Sequence, residues 1–217
     1  MPFTWNLTVL TNLLALLFTY TSAAWALIVP PSAISFIATR FVDDAGLANW
    51  ISAAPTIILT ILQVFLGDLS DILGRRVILL AGSLLGFAGT LVSSRASSMG
   101  MVIAGQVLGG TGLTCGFLCT PLLQECVPKV QRPIVMAAAS ICMGAVVISG
   151  PIIVGEMIRS DVGGAGEGWR VGFYIAAGLY ALSFIAVFAM YHPGEQPQPG
   201  DGSRWSRLLH IDWFGIF

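Results

Sequence analysis

The chain has 217 residues, 56% of them hydrophobic and 10% charged, with a net charge of −1. A soluble domain carries about 25% charged residues, so this composition excludes a water-soluble globule and makes the lipid bilayer the main solvent and first partner. No basic block is present, which leaves nucleic acid without an electrostatic footing as a partner, and the mean hydropathy of +0.85 agrees with a chain that lives in lipid.

A spanning helix needs about 20 apolar residues. Uncharged runs of that size recur six times, over residues 7–30, 45–66, 77–94, 96–124, 133–155 and 171–191. The fold class expected is an all-α membrane protein, with a six-helix bundle over 1–191. In the first run no charge occurs before Arg40, and Pro30-Pro31 removes two backbone donors. That pair predicts a kink or an end, and we read one long kinked helix continuing through 32–39. The start lacks the positive stretch of a secretory signal.

Polar residues inside the runs are few, and most are hydroxyls that can bond to their own helix. The amides of Asn12 and Gln106 satisfy themselves less easily, which makes them the best candidates to line a polar cavity. The third run carries Gly82, Gly86 and Gly89, and the fourth Gly105, Gly109, Gly112 and Gly116. Such spacing lets helix backbones approach closely where lipid supplies no hydrophobic drive, either as static packing or as a sliding surface. Cys115, Cys119, Cys126 and Cys142 form no C-x-x-C pair and have no histidine beside them, so they read as small apolar fillers. Neither a metal nor another cofactor is expected. No serine–histidine or cysteine–histidine–aspartate cluster lies in the spans, so the chain does not read as an enzyme.

Orientation follows from Lys and Arg. Loops after the even-numbered spans hold Arg75, Arg76, Lys129, Arg132, Arg204 and Arg207, and the opposite loops hold Arg40, Arg95, Arg159 and Arg170. The bias places both termini in the cytoplasm. Residues 192–209, rich in Pro and Gly at first, read as a cytoplasmic linker. Residues 210–217 read as the start of a seventh span that the end of the chain truncates.

Between the second and third runs stands Gly67-Asp68-Leu69-Ser70-Asp71-Ile72-Leu73-Gly74-Arg75-Arg76. By charge alone this is a tight turn in which Asp71, placed before the third helix, caps free N–H groups and pairs with an arginine. The segment resembles the G-x-L-x-D-x-x-G-R-R signature of the major facilitator superfamily at Gly67, Leu69, Asp71, Gly74, Arg75 and Arg76, with Ile72 where many members are basic. Glu125-Cys126-Val127-Pro128 through Arg132 resembles the E-x-x-P-x-x-x-R loop between helices four and five. Gly150, Pro151 and Gly155 resemble part of the G-P-x-x-G-G motif of drug/proton antiporters, whose last glycine is Glu156 here. Trp169-Arg170 with Phe173-Tyr174 resembles the W-R-x-x-F-Y entry to helix six, and Tyr191-His192-Pro193, Trp205 and Ile211-Asp212-Trp213 through Phe217 resemble the fungal trichothecene efflux pumps and siderophore transporters of the fourteen-helix branch.

The resemblance implies an N-terminal half of a secondary transporter working by alternating access, with the signature loop as a latch between open states. It implies efflux of small molecules such as toxins, drugs or siderophores, at the plasma membrane. A missing C-terminal half, or self-association, would complete the cavity. Gln106 stands where relatives carry an arginine linked to proton coupling, and glutamine holds no charge. A different class of reading is a non-transporting remnant or a membrane interaction partner.

Overall fold

The computed structural model describes residues 6–164 and 166–192, without the side chain of Asp68. The expected linker beyond His192 and the expected seventh span lie outside the described residues. Seven α-helices follow in order: α1 Leu7–Arg40, α2 Trp50–Leu73, α3 Arg75–Ser94, α4 Met99–Phe117, α5 Cys119–Glu125, α6 Arg132–Arg159 and α7 Trp169–Met190. Among the described residues they provide six stretches long and apolar enough to cross a membrane, α4 and α5 sharing one.

The first helix runs unbroken for 34 residues with Pro30 and Pro31 inside it. At about 1.5 Å per residue that is roughly 50 Å, well beyond a hydrocarbon core of about 30 Å. The expected alternative of an end at the prolines does not occur. The fourth span, read as one run, is instead two helices. Pro121 lacks the N–H that would reach the carbonyl of Phe117, and its ring crowds that carbonyl, so the ladder parts at Leu118.

Packing sorts the helices by depth. Helix α1 touches α4, α6 and α7; α3 lies on α4 and α7; α2 leans mainly on α4. In their most apolar stretches α1 and α4 are each 61% buried, whereas α2 and α6 are each only 22% buried. The flanking helices therefore leave most of their surface unpartnered in this chain. The largest core cluster joins Trp25, Val29 and Ile37 of α1 to Val102 and Leu113 of α4 and to Phe173 and Tyr180 of α7. A second cluster, with Leu16, Leu79, Leu123 and Val187, fills the end where the chain starts.

Glycines set how close α3 and α4 come. A methyl group added at Gly89 would lie 2.3 Å from the backbone nitrogen of Gly109, and one at Gly112 would lie 2.5 Å from Cα of Gly86. The two backbones are in direct contact, as small-residue packing allows.

Candidate functional site

Charged side chains gather at the two poles of the bundle. At the pole where α1 begins, α2 does not stop at Leu66 but runs on to Leu73, so Gly67, Leu69 and Asp71 all sit on its last turns. The whole connection to α3 is Gly74, at φ +97°. That region is open to glycine at little cost and to other residues only with strain. This corrects the expected role of Asp71. It lies at the C-terminal end of α2, and α3 has no side-chain cap at its start.

Asp71 instead forms an i,i+4 ion pair with Arg75 at 3.3 Å. Arg75 also donates to Glu125 at the end of α5, at 3.0 Å. Two guanidinium groups in the first turn of α3 face the positive end of its dipole, and the two carboxylates offset that repulsion. Arg75 is the better shielded member, its side chain 19% exposed against 62% for Asp71 and 45% for Glu125. Arg76 donates to the backbone carbonyl of Phe188 and lies over its ring, 5.6 Å from the centroid. The signature thus ties α2, α3, α5 and α7 together at one pole. Burial pushes the Cys126 thiol up and the Tyr191 hydroxyl up to about 12, with Arg75 opposing both shifts. Both groups stay neutral near pH 7, so the arginine is balanced by carboxylates.

Arg132 opens α6 and has a buried Nε with no hydrogen-bond partner. The second loop motif therefore contributes Glu125 to the cluster around Arg75, while no ion pair joins Glu125 to Arg132 among the described residues. Gly150 is buried and faces Ile28 of α1, 3.6 Å from an added methyl; Pro151 and Gly155 point outward, with nothing within 4 Å of a methyl at Gly155. The antiporter-like motif is split between a packed side and an open one.

Asn12 and Gln106, the expected cavity residues, both have packing partners within this bundle. Asn12 donates to the carbonyl of His192 at 3.0 Å and accepts from its N–H at 2.9 Å. It is a clamp between the start of α1 and the end of α7. Gln106 is 3% exposed and donates to Ser93 Oγ at 3.1 Å, inside the α3–α4 seam. Asn12 is bonded through both its amide nitrogen and oxygen, and Gln106 through its nitrogen. An apolar recess of about 530 Å³ does open between α2, α3 and α4, lined by Ile58, Ile61, Val92, Val107 and Leu108 among others, and neither amide reaches it.

Sequence reasoning missed a cluster at the far pole. Arg170, in the first turn of α7, donates to the carbonyls of Ser94 and Ala96, each at 2.8 Å. It also pairs with Glu167 and stacks on Trp169, 4.8 Å from the ring centroid. Arg40 reaches the same glutamate at 3.5 Å. The signal available was a cation at a helix N-terminus, where the dipole opposes it and a compensating partner is required. Among the described residues no group of three His, Cys, Asp or Glu could hold a metal ion.

Comparison with known proteins places this geometry. Residues 14–214 match the model of the Major Facilitator Superfamily. The chain is 32% identical over 130 residues to the efflux pump alnA of Emericella nidulans, covering 58% of this chain and 22% of that protein. It is 26% identical to the MFS efflux transporter aclA of Aspergillus oryzae, covering 82% of this chain and 31% of that one. It is 29% identical to vacuolar basic amino acid transporter 5 of Saccharomyces cerevisiae, covering 73% and 26%. The chain thus spans under a third of the length of these relatives. A crystal structure of the peptide transporter POT superposes on 82% of this chain and 37% of its own with a TM-score of 0.66, at 17% identity, which speaks for the fold alone.

Proposed function

The chain belongs to the major facilitator superfamily, and from that premise we propose that it is one six-helix half of a secondary transporter that exports small molecules by alternating access. The superfamily is one of transporters rather than enzymes. The observation that carries the reading is the Asp71–Arg75–Glu125 cluster. It joins three helices at one pole through an exposed ion pair, which is weak enough to break and re-form during a cycle.

The two flanking helices, α2 and α6, support a second half. Their exposed surfaces would pair with six further helices, and substrate would bind near the bilayer midplane between the halves. In this proposal residues 192–209 link the halves on the cytoplasmic side and 210–217 begin the next span. Efflux pumps among the relatives favour export of toxins, drugs or siderophores across the plasma membrane; the vacuolar relative makes the vacuole the competing site. Vesicles carrying the intact protein are expected to move a labelled trichothecene, a cationic dye or a ferric siderophore saturably. Flux no greater than in empty vesicles for all three would overturn the proposal.

A further inference from the structure

Helix α2 presents two different faces. At about 100° per residue, Thr56, Thr60, Gln63 and Gly67 fall in one arc of roughly 60°, and Trp50, Ile57, Ile61 and Val64 fall in the next arc of roughly 60°. All eight residues are exposed. The apolar arc turns toward α3 and leads into the recess that Ile61 shares with Val92, a surface suited to lipid chains. The other arc turns away from it. Thr56 and Thr60 donate to the carbonyls of Ser52 and Thr56, at 2.8 and 2.9 Å, and keep their hydroxyl lone pairs free to accept.

Gln63 differs from Asn12 and Gln106, the two amides first expected to line a cavity. Asn12 and Gln106 are buried and bonded, whereas Gln63 is exposed and has no hydrogen-bond partner among the described residues. It is the fourteenth residue of the 24 in α2, inside the apolar stretch that ends at Gly67 and five residues before Asp68. An unpaired amide within an apolar stretch cannot face hydrocarbon without losing its hydrogen bonds to water. Polar side chains there face a water-filled cavity or another polar surface.

We infer that the Thr56–Thr60–Gln63 face of α2 lines the transport path and that Gln63 is its hydrogen-bonding group toward the cargo. This rests on the transporter reading above and adds a substrate chemistry to it. The face carries no charge at mid-helix, so it suits a neutral hydroxyl, carbonyl or amide of the cargo, for which glutamine is both donor and acceptor.

The test places single cysteines in the intact protein in membrane vesicles, in a background with Cys126 and Cys142 changed to Ser. The probe is a charged, membrane-impermeant methanethiosulfonate. Gln63→Cys and Thr60→Cys are expected to react at least about tenfold faster than Ile61→Cys, the factor that one unit of thiol pKa makes between water and lipid. Using two positions one turn apart guards against a single variant that fails to fold. Rates at both positions no greater than at Ile61 would overturn the inference. Labelling needs no transport, so a silent efflux assay with reactive cysteines would sink the transporter reading and leave the water-facing assignment standing. In a working efflux assay, Gln63→Leu is expected to raise KM about fivefold, as the loss of one neutral hydrogen bond does, with Gln63→Asn in between. An unchanged KM for Gln63→Leu would remove the cargo contact.

Discussion

Arg75 holds two carboxylates that differ in what they hold in return. The Asp71 side chain is 62% exposed, so its pair with Arg75 is a solvent-screened contact of little static worth. Asp71→Asn is therefore expected to leave stability within about 0.5 kcal/mol of the native chain, while lowering transport by the intact protein, because a small change in an ion pair shifts a balance between two open states. Normal transport with normal expression would refute the latch. Glu125 ties Arg75 to α5, a helix distant in sequence, and without it the guanidinium, only 19% exposed, loses a carboxylate partner. Glu125→Gln is expected to cost more, about 1–2 kcal/mol in a detergent unfolding titration. Equal effects of the two variants would mean that shielding of Arg75 does not govern the cluster. At this scale the sequence is half legible. The resemblance to the family signature gathered Gly67, Asp71, Gly74 and Arg75 into one motif. It did not reveal that Gly67 lies within a continuing helix and that Gly74 alone makes the turn, because an isolated glycine reads equally well as a break. For the same reason Asp71 was expected to cap α3, when it closes the end of α2. Asn12 and Gln106 were expected to line a cavity on residue type alone, and only tertiary contacts separate a satisfied amide from the unpaired Gln63.

Helices α3 and α4 are pressed together by missing side chains, and the contact is asymmetric. A methyl group at Gly89 would meet Gly109 backbone nitrogen at 2.3 Å, whereas one at Gly109 meets nothing within 4 Å. Gly89→Ala must push two backbones apart and is expected to destabilise the bundle by about 1–3 kcal/mol. Gly109→Ala is expected to be neutral or slightly stabilising, since alanine favours helix over glycine by up to about 1 kcal/mol. Denaturant midpoints of the two purified variants check this, and the reverse order would show that the seam is looser than its backbone distances. Fold legibility is high at this scale for a physical reason. The thickness of the bilayer sets the length of an apolar run, so all six runs reappear as helical spans. Loop charges do not set helix ends so firmly. Hence the second span continues through the motif, and the third begins at Arg75 rather than Val77. The break at Leu118 was legible in principle, since Pro121 stands in the run, yet a proline inside α1 leaves that helix continuous. Which proline breaks a helix depends on whether neighbouring helices re-satisfy the freed carbonyls.

The clamp of Asn12 on His192 brings the start of α1 and the end of α7 to one pole, as an even number of crossings requires. The signature cluster shares that pole, so from the positive-inside bias it is expected to face the cytoplasm. A cysteine at Asp161 is then expected to react with an impermeant reagent added outside intact cells, and one at Val130, a residue 87% exposed beside α6, is expected to react only after the membrane is opened. The reverse pattern would overturn the orientation. The same exposed flanks bear on what these six helices can do without others. Six helices satisfy their own backbones and can insert, but a facilitator cavity needs a second wall, and α2 and α6 bury only 22% of their most apolar stretches against this chain. Lipid can cover Ile141 and Ile152 on α6; it cannot hydrogen-bond Gln63 on α2. The 217 residues by themselves are therefore expected to insert, to self-associate through the polar face of α2, and not to transport. Purified and reconstituted in liposomes, they should cross-link to themselves through Gln63→Cys more readily than through Ile61→Cys, and show no saturable uptake with or without a pH gradient. Saturable flux of a trichothecene, siderophore or cationic dye would mean that two copies can build both walls, and that a second, different half is not required.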